Sequence, residues 1–235
     1  MMRLRVFGAG VRGALVADLI DGELGGDYSI EGFYDDRFEI GALGPGGYPI
    51  LGGITSGLCM TPGSGAGAFV AMGTKVSAFA CRVFHELREK KVPVPNLVSR
   101  RASVAASATL GLNALIFPGV CVGSFVSVGH LFCAHGNSVV EHHSRLGHNV
   151  LLGPGVSIAG HVGIGSHCFL GAGASVKPEC ALGAGVLIGT GAVVVKSIPA
   201  YTVAYGHPAR PQRGTGQTDE LPDQGECESL ARLGL

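Results

Sequence analysis

Tryptophan is absent from the 235 residues, and charged side chains make up only 14% of them. Lysine and arginine together number 17, as do aspartate and glutamate, so the formal net charge is zero. A chain with no basic excess lacks the electrostatic footprint of a nucleic-acid binder. Glycine, by contrast, supplies 40 residues. At ~1 kcal/mol per helical position, that density excludes a fold built mainly of amphipathic helices. The glycines do not recur at every third residue, which excludes a collagen-like chain. A hydrophobic content of 46% excludes general disorder. No C-x-x-C pair occurs among the seven cysteines, and their number is odd. A disulfide scaffold or structural zinc is therefore not expected, and a reducing cytoplasm fits. The N-terminus shows no long apolar core before a cleavage site, so no signal peptide is read. The stretch from Ala102 to Gly129 carries no charge, but Ser103, Ser107, Thr109, Gly111, Asn113, Gly119, Gly123, Ser124 and Ser127 interrupt it. No membrane span is expected from such a texture.

What the sequence does contain is a repeat. Steps of six from Val98 to Val194 meet seventeen aliphatic positions, of which only Ala134 is small. Four residues after each lies a position that is mostly small or β-branched, as at Ala114, Val120, Ser138, Ser144, Val150 and Ala174. The residue directly after the aliphatic is Gly at 111, 123, 129, 147, 153, 165, 171, 183 and 189. A period of six suits neither a helix nor a plain alternating strand. It predicts short strands joined by tight turns, with glycine supplying permissive turn dihedrals. Such units stack into a β-solenoid, each coil burying its face on the next. With three hexads per triangular coil and ~4.8 Å between coils, the prism should stand roughly 27 Å tall.

The region before the repeat has another texture. Residues 3–7 read as a strand, Gly8-Ala9-Gly10-Val11-Arg12-Gly13 as a turn, and Ala14 to Ile20 as a helix start. Strand, G-x-G-x-x-G and helix bring backbone N–H groups close to a phosphate. Ile30 to Asp36 reads as a second strand ending in two acids, with Asp35 where a ribose-binding acid is expected. Alone, this pattern points to NAD, but only about 90 residues precede the repeat, too few for both mononucleotide halves. Ala68 to Gly73 reads as a third strand. Val76 to Lys91 reads as a helix with Phe79, Val83 and Leu87 on one face. The expected organisation is an α/β domain at 1–95, a β-helix with a closing segment at 96–213, and a disordered tail at 214–235.

The repeat resembles the hexapeptide-repeat left-handed β-helix acyltransferases, and the left hand comes from that resemblance. The G-A-G-x-x-G turn, the G-F-x-D-D strand end, the V-E-H of Val140-Glu141-His142 and the G-x-P-A-R of Gly206 to Arg210 narrow it. Together they resemble the sialic-acid acetyltransferase-like sugar N-acetyltransferases. That resemblance implies acetyl transfer from acetyl-CoA to the amine of a nucleotide-linked amino sugar, UDP- or GDP-linked, for glycan synthesis in the cytoplasm. It implies a homotrimer with active sites at subunit interfaces and no metal requirement. Sugar-nucleotide contacts would fall at Gly10, Val11, Arg12, Asp35, Asp36 and Gly73. Coenzyme A would meet Leu151, Gly160, Ala172 and Thr190. His142 would be the catalytic base.

The sequence departs from the family pattern at three places. His143 stands where an acid usually follows the base, so either Glu141 takes that role or the base is weaker. Leu151 replaces a histidine, and Val11-Arg12-Gly13 replaces G-H-G in the turn. Residues 18 apart should stack on adjacent coils, which pairs His130 with His148, His143 with His161 and Asn149 with His167. Turn positions should point these side chains outward. Other readings remain open at this point. They are a sugar O-acetyltransferase, a γ-carbonic-anhydrase-like metal site at His130 and His135, and a non-catalytic trimer that binds a sugar nucleotide.

Overall fold

The computed structural model describes residues 1–59, 65–72 and 78–215. The chain divides into two compact units, Met1–Arg100 and Arg101–Leu235.

The first unit is a four-stranded parallel sheet with helices. Its elements are β1 (Met2–Phe7), α1 (Val11–Leu19), β2 (Tyr28–Tyr34), β3 (Ile50–Gly52), α2 (Ile54–Gly57), β4 (Ala66–Val70) and α3 (Ala78–Glu89). The strand order is β3-β2-β1-β4. Leu4, Val6, Phe7, Phe33 and Phe69 are fully buried, as parallel strands covered on both faces demand. The helix α1 begins earlier than expected, at Val11, and its last turn widens into a π-helical turn at Ile20–Leu24. Gly8 has a φ of 108°, and a Cβ at Gly13 would collide with the Gly8 carbonyl oxygen. These two glycines thus serve the turn and the close approach of α1 to β1.

Several sequence expectations shift here. The two acids Asp35 and Asp36 lie just past β2 rather than within it. β3 was not foreseen, because three residues between Pro49 and Gly53 are too few for an alternation to show. β4 ends at Val70, and Gly73, Val76 and Ser77 lie outside the described residues. On α3, Val83 and Leu87 are buried as expected, but Phe79 is 44% exposed and Phe84 takes its place in the core.

The second unit is a left-handed parallel β-helix of two-residue strands in three walls. From Ile116 to Val194 every sixth residue is buried, and so is every residue four positions on, from Ala114 to Ala192. The hexad thus contributes two inward side chains. Val104 and Leu110, on the first coil, are half-buried.

The corners correct one expectation. The glycines after the aliphatic residue do not supply left-handed dihedrals. A Cβ at Gly111 would lie 2.6 Å from Gly129 carbonyl carbon, and one at Gly165 would lie 2.5 Å from the Ala184 nitrogen. They are glycine because the next coil's backbone passes there. The left-handed residue comes two positions later and is usually not glycine: Asn113, Phe125, Leu131, Asn137, His143, Asn149, His161, His167 and Glu179 have φ of 54–65°. That conformation costs an L-residue about 1–2 kcal/mol. Bonds between coils offset it, such as His143 N–H to the Ser124 carbonyl and His161 N–H to the His142 carbonyl, both 3.0 Å.

The closing segment is an antiparallel hairpin of Thr202–Gly206 and Ala209–Gly214. Gly214 is therefore in a strand, contrary to the expected start of the disordered tail, and residues 216–235 lie outside the described residues. No helix among the described residues is long and apolar enough to cross a membrane.

The expected ladders form. His130 and His148 stack with centroids 5.0 Å apart, and His143 and His161 with centroids 4.9 Å apart. His167 meets Asn149 at 3.2 Å, yet the two are buried rather than outward, at 5% exposure each. Burial, with His148 adding to it, lowers the His167 pKa to about 4. The unfolded chain takes up this proton near the ordinary value of 6.5, the folded chain only near 4. His167 therefore contributes stability that is complete above pH 6.5 and declines as pH falls toward 4. His167→Asn keeps a residue that tolerates the left-handed corner, as Asn149 does. It should flatten this acid-side decline, read from urea midpoints at about pH 7 and about pH 4.5. An unchanged decline in the variant would assign it to other groups.

Candidate active site

The first unit opens a cleft of ≈ 450 Å³ at the N-terminus of α1. It is lined by Gly8, Gly10, Val11, Arg12, Asp35, Asp36, Arg37, Ile54, Ala71, Met72 and Phe79. Five of the six residues expected at the sugar nucleotide thus share one cavity, and the sixth, Gly73, lies outside the described residues. Gly10 caps α1 without a side-chain bond, so the first-turn N–H groups face the cleft with no intrahelical acceptor. An anion is the natural partner of such a turn. Arg12 adds positive charge, its Nη1 donating to the Met72 carbonyl at 3.1 Å.

The two acids have structural duties that the sequence alone did not reveal. Asp35 is 4% exposed and accepts the Ala9 N–H at 2.8 Å. Arg37 grips it through Nε at 2.9 Å and Nη2 at 2.7 Å. The Arg37 guanidinium, aided by the Ala9 and Arg37 N–H groups, outweighs burial and holds the Asp35 pKa at about 2. Asp36 accepts the Ile54 N–H at 2.9 Å and so fixes the start of α2. Arg37 is the charged lining residue that sequence reading missed. The signal was its position two after Asp35, close enough for a carboxylate clamp across one turn.

In the second unit, three exposed histidines meet at a corner. His142 Nδ1 and His143 Nδ1 lie 3.2 Å apart. The His143 ring stacks on His161 at an interplanar angle of 14°, and Phe125 covers its other face with centroids 5.0 Å apart. His142 stands edge-on to both, at 83° and 84°. The left-handed φ of 59° at His143 turns consecutive side chains toward one another. Gly160 belongs to this corner, since a Cβ there would lie 2.6 Å from His142 Cε1. Glu141 makes no side-chain hydrogen bond or ion pair among the described residues, so the neighbour of the His142 ring is His143.

The remaining candidates lie elsewhere. Ala172 and Thr190 occupy the corner before the wall of strands Val139–Val140, Ser157–Ile158 and Ser175–Val176. His142 and Gly160 occupy the corner after that wall, so the two groups flank one face. Leu151 is 4% exposed, in a different wall. His130 and His135 do not form a three-ligand cluster among the described residues. His130 Nδ1 accepts the Leu112 N–H at 2.9 Å, and His135 stacks on Phe117 at 5.0 Å.

No protein-family model and no curated protein matches the chain. Solved structures do. A variant of GDP-perosamine N-acetyltransferase from Caulobacter crescentus, in complex with CoA and GDP-perosamine, superimposes with a TM-score of 0.81 at 27% identity, covering 89% of this chain and 96% of its own. The acetyltransferase domain of PglB from Neisseria gonorrhoeae, in complex with acetyl coenzyme A, gives 0.80 at 27% identity, covering 90% and 99%. WeeI from Acinetobacter baumannii gives 0.78 at 26% identity, covering 90% and 100%. These likenesses agree with the resemblance carried by the glycine turn and the hexapeptide repeat.

Proposed function

We propose that this protein is an acetyl-CoA-dependent N-acetyltransferase acting on the amine of a nucleotide-linked amino sugar, and that it serves glycan synthesis. The observation that carries this reading is the likeness, over about nine-tenths of the chain, to one acetyltransferase holding CoA and GDP-perosamine and another holding acetyl coenzyme A. The cleft at the α1 N-terminus takes the diphosphate, with Gly10, Val11 and Arg12 facing it and the Asp35–Arg37 clamp shaping its rim. The pocket suits an anionic ligand for the reasons of geometry already given.

His142 is the general base. In the productive tautomer its Nδ1–H donates to His143 Nδ1, which leaves the His142 Nε2 lone pair for the substrate. The amine nitrogen attacks the thioester carbonyl, and its proton passes to Nε2. The carbonyl oxygen becomes an oxyanion, stabilised by backbone N–H groups of the glycine-rich wall. The carbon–sulfur bond then breaks, and the thiolate takes the proton from His142 to leave as coenzyme A. His143, a neutral acceptor, orients the ring as an acid would but supplies no negative charge. Coenzyme A lies along the wall flanked by His142 and Gly160 on one side and Ala172 and Thr190 on the other. The active unit is a homotrimer with its sites at subunit interfaces. No disulfide is formed among the six described cysteines, which suits the cytoplasm.

Direct transfer makes a kinetic prediction. Initial velocities measured at several concentrations of both substrates should give intersecting double-reciprocal lines. Parallel lines, with an acetylated protein detectable by mass spectrometry, would show a covalent intermediate instead.

A further inference from the structure

We propose that His142, His143 and His161 bind a borderline divalent cation such as zinc, and that its binding silences the base. One nitrogen from each ring lies within 4.8 Å of the others. The His142 and His143 Nδ1 atoms, 3.2 Å apart, already have the spacing of two ligands on a tetrahedral zinc. At a Zn–N distance of ~2.0–2.1 Å that spacing is roughly 3.3–3.4 Å. All three rings are exposed, so a modest rotation of His161 brings the third nitrogen in. Gly160 leaves the space beside the His142 ring clear. Three imidazoles without a carboxylate favour zinc, copper or nickel over magnesium or calcium.

The consequence follows from the tautomers, and rests on the reading of His142 as the base. A cation on Nδ1 of His142 takes that lone pair and sends the proton to Nε2. Neither nitrogen can then accept a proton from the amine. The site is thus inhibitory, and zinc competes with catalysis through the base rather than through either substrate.

The test combines a binding measurement and a rate. Zinc is titrated calorimetrically into the full-length protein and into His161→Asn, which keeps a residue suited to the left-handed corner. Product formation is followed by chromatography, because zinc also binds the released thiol. The expected result is one zinc per chain for the wild type, lost in His161→Asn. At zinc one hundred times the measured Kd, wild-type turnover should fall by roughly 100-fold. It should recover on chelation, whereas the turnover of His161→Asn, whatever its basal level, should be the same with and without zinc. Absence of zinc binding, or binding that survives His161→Asn, overturns the site, whatever His142→Ala does to turnover. Binding at this corner that leaves turnover unchanged overturns the silencing, and with it the assignment of His142 as base.

Discussion

Replacing His142 by alanine is expected to cut turnover by at least ~10²-fold while the fold and coenzyme A binding persist. The ring is exposed and stands edge-on to its neighbours, so little packing is lost with it. What is lost is an imidazole whose Nδ1 is held 3.2 Å from His143 Nδ1, which leaves its Nε2 for the substrate. General-base removal typically costs 10²–10⁴-fold. Thermal midpoint and coenzyme affinity should match the wild type, and the loss should appear in kcat rather than KM. Near-normal turnover in the variant would falsify the assignment and move attention to His161.

Gly13→Ala should have the largest effect on the first unit. The added Cβ meets the Gly8 carbonyl oxygen, which is backbone and cannot rotate away. Phe33 closes the same space from another side, at 3.2 Å. Overpacking of this kind costs about 1–3 kcal/mol and often more where backbone is struck. The helix α1 must lift off β1, and the N–H groups of Val11 and Arg12 move with it. Sugar-nucleotide affinity should fall by roughly tenfold or more, since each ~1.4 kcal/mol is a factor of ten. Coenzyme A affinity should hold, because its proposed contacts lie in the second unit. Gly22→Ala, where a Cβ meets nothing within 4 Å, is the matched control. Equal nucleotide affinity in Gly13→Ala and Gly22→Ala would contradict the placement of the phosphate site.

The β-helix was legible because its constraint is periodic and local. Val140, Leu146 and Leu152 must be apolar for the same reason at every coil, so one rule repeated along the chain exposes the fold. The ladders His130–His148 and His143–His161 follow from the same arithmetic of 18 residues per coil. The glycines after each aliphatic were located correctly but explained wrongly. Their cause is the backbone of a coil that only the folded structure brings within 3 Å, as at Gly111. The burial of Asn149 and His167 was hidden for a related reason, since corner positions at different walls share a sequence pattern but not a surrounding.

The candidate site was legible where it rests on a motif and obscure where it rests on contact. Gly10, Val11 and Arg12 are fixed by the turn, and the structure places them with Asp35 and Asp36 in one cleft. That Asp35 is engaged by Arg37 and Ala9, and Asp36 by Ile54, could not be read from spacing. Likewise Glu141 is adjacent to His142 in sequence, yet the left-handed corner at His143 turns the two histidines toward each other.

Release of thiol from acetyl-CoA by the purified protein, in the presence of UDP-, GDP- and dTDP-linked amino sugars and their hydroxyl counterparts, tests the central claim most directly. Release is expected with at least one amino sugar, in step with formation of its N-acetylated product, and unaffected by chelator. Release with the hydroxyl sugars alone, or none with any amino sugar under conditions where coenzyme A binds, would contradict amino-sugar N-acetylation.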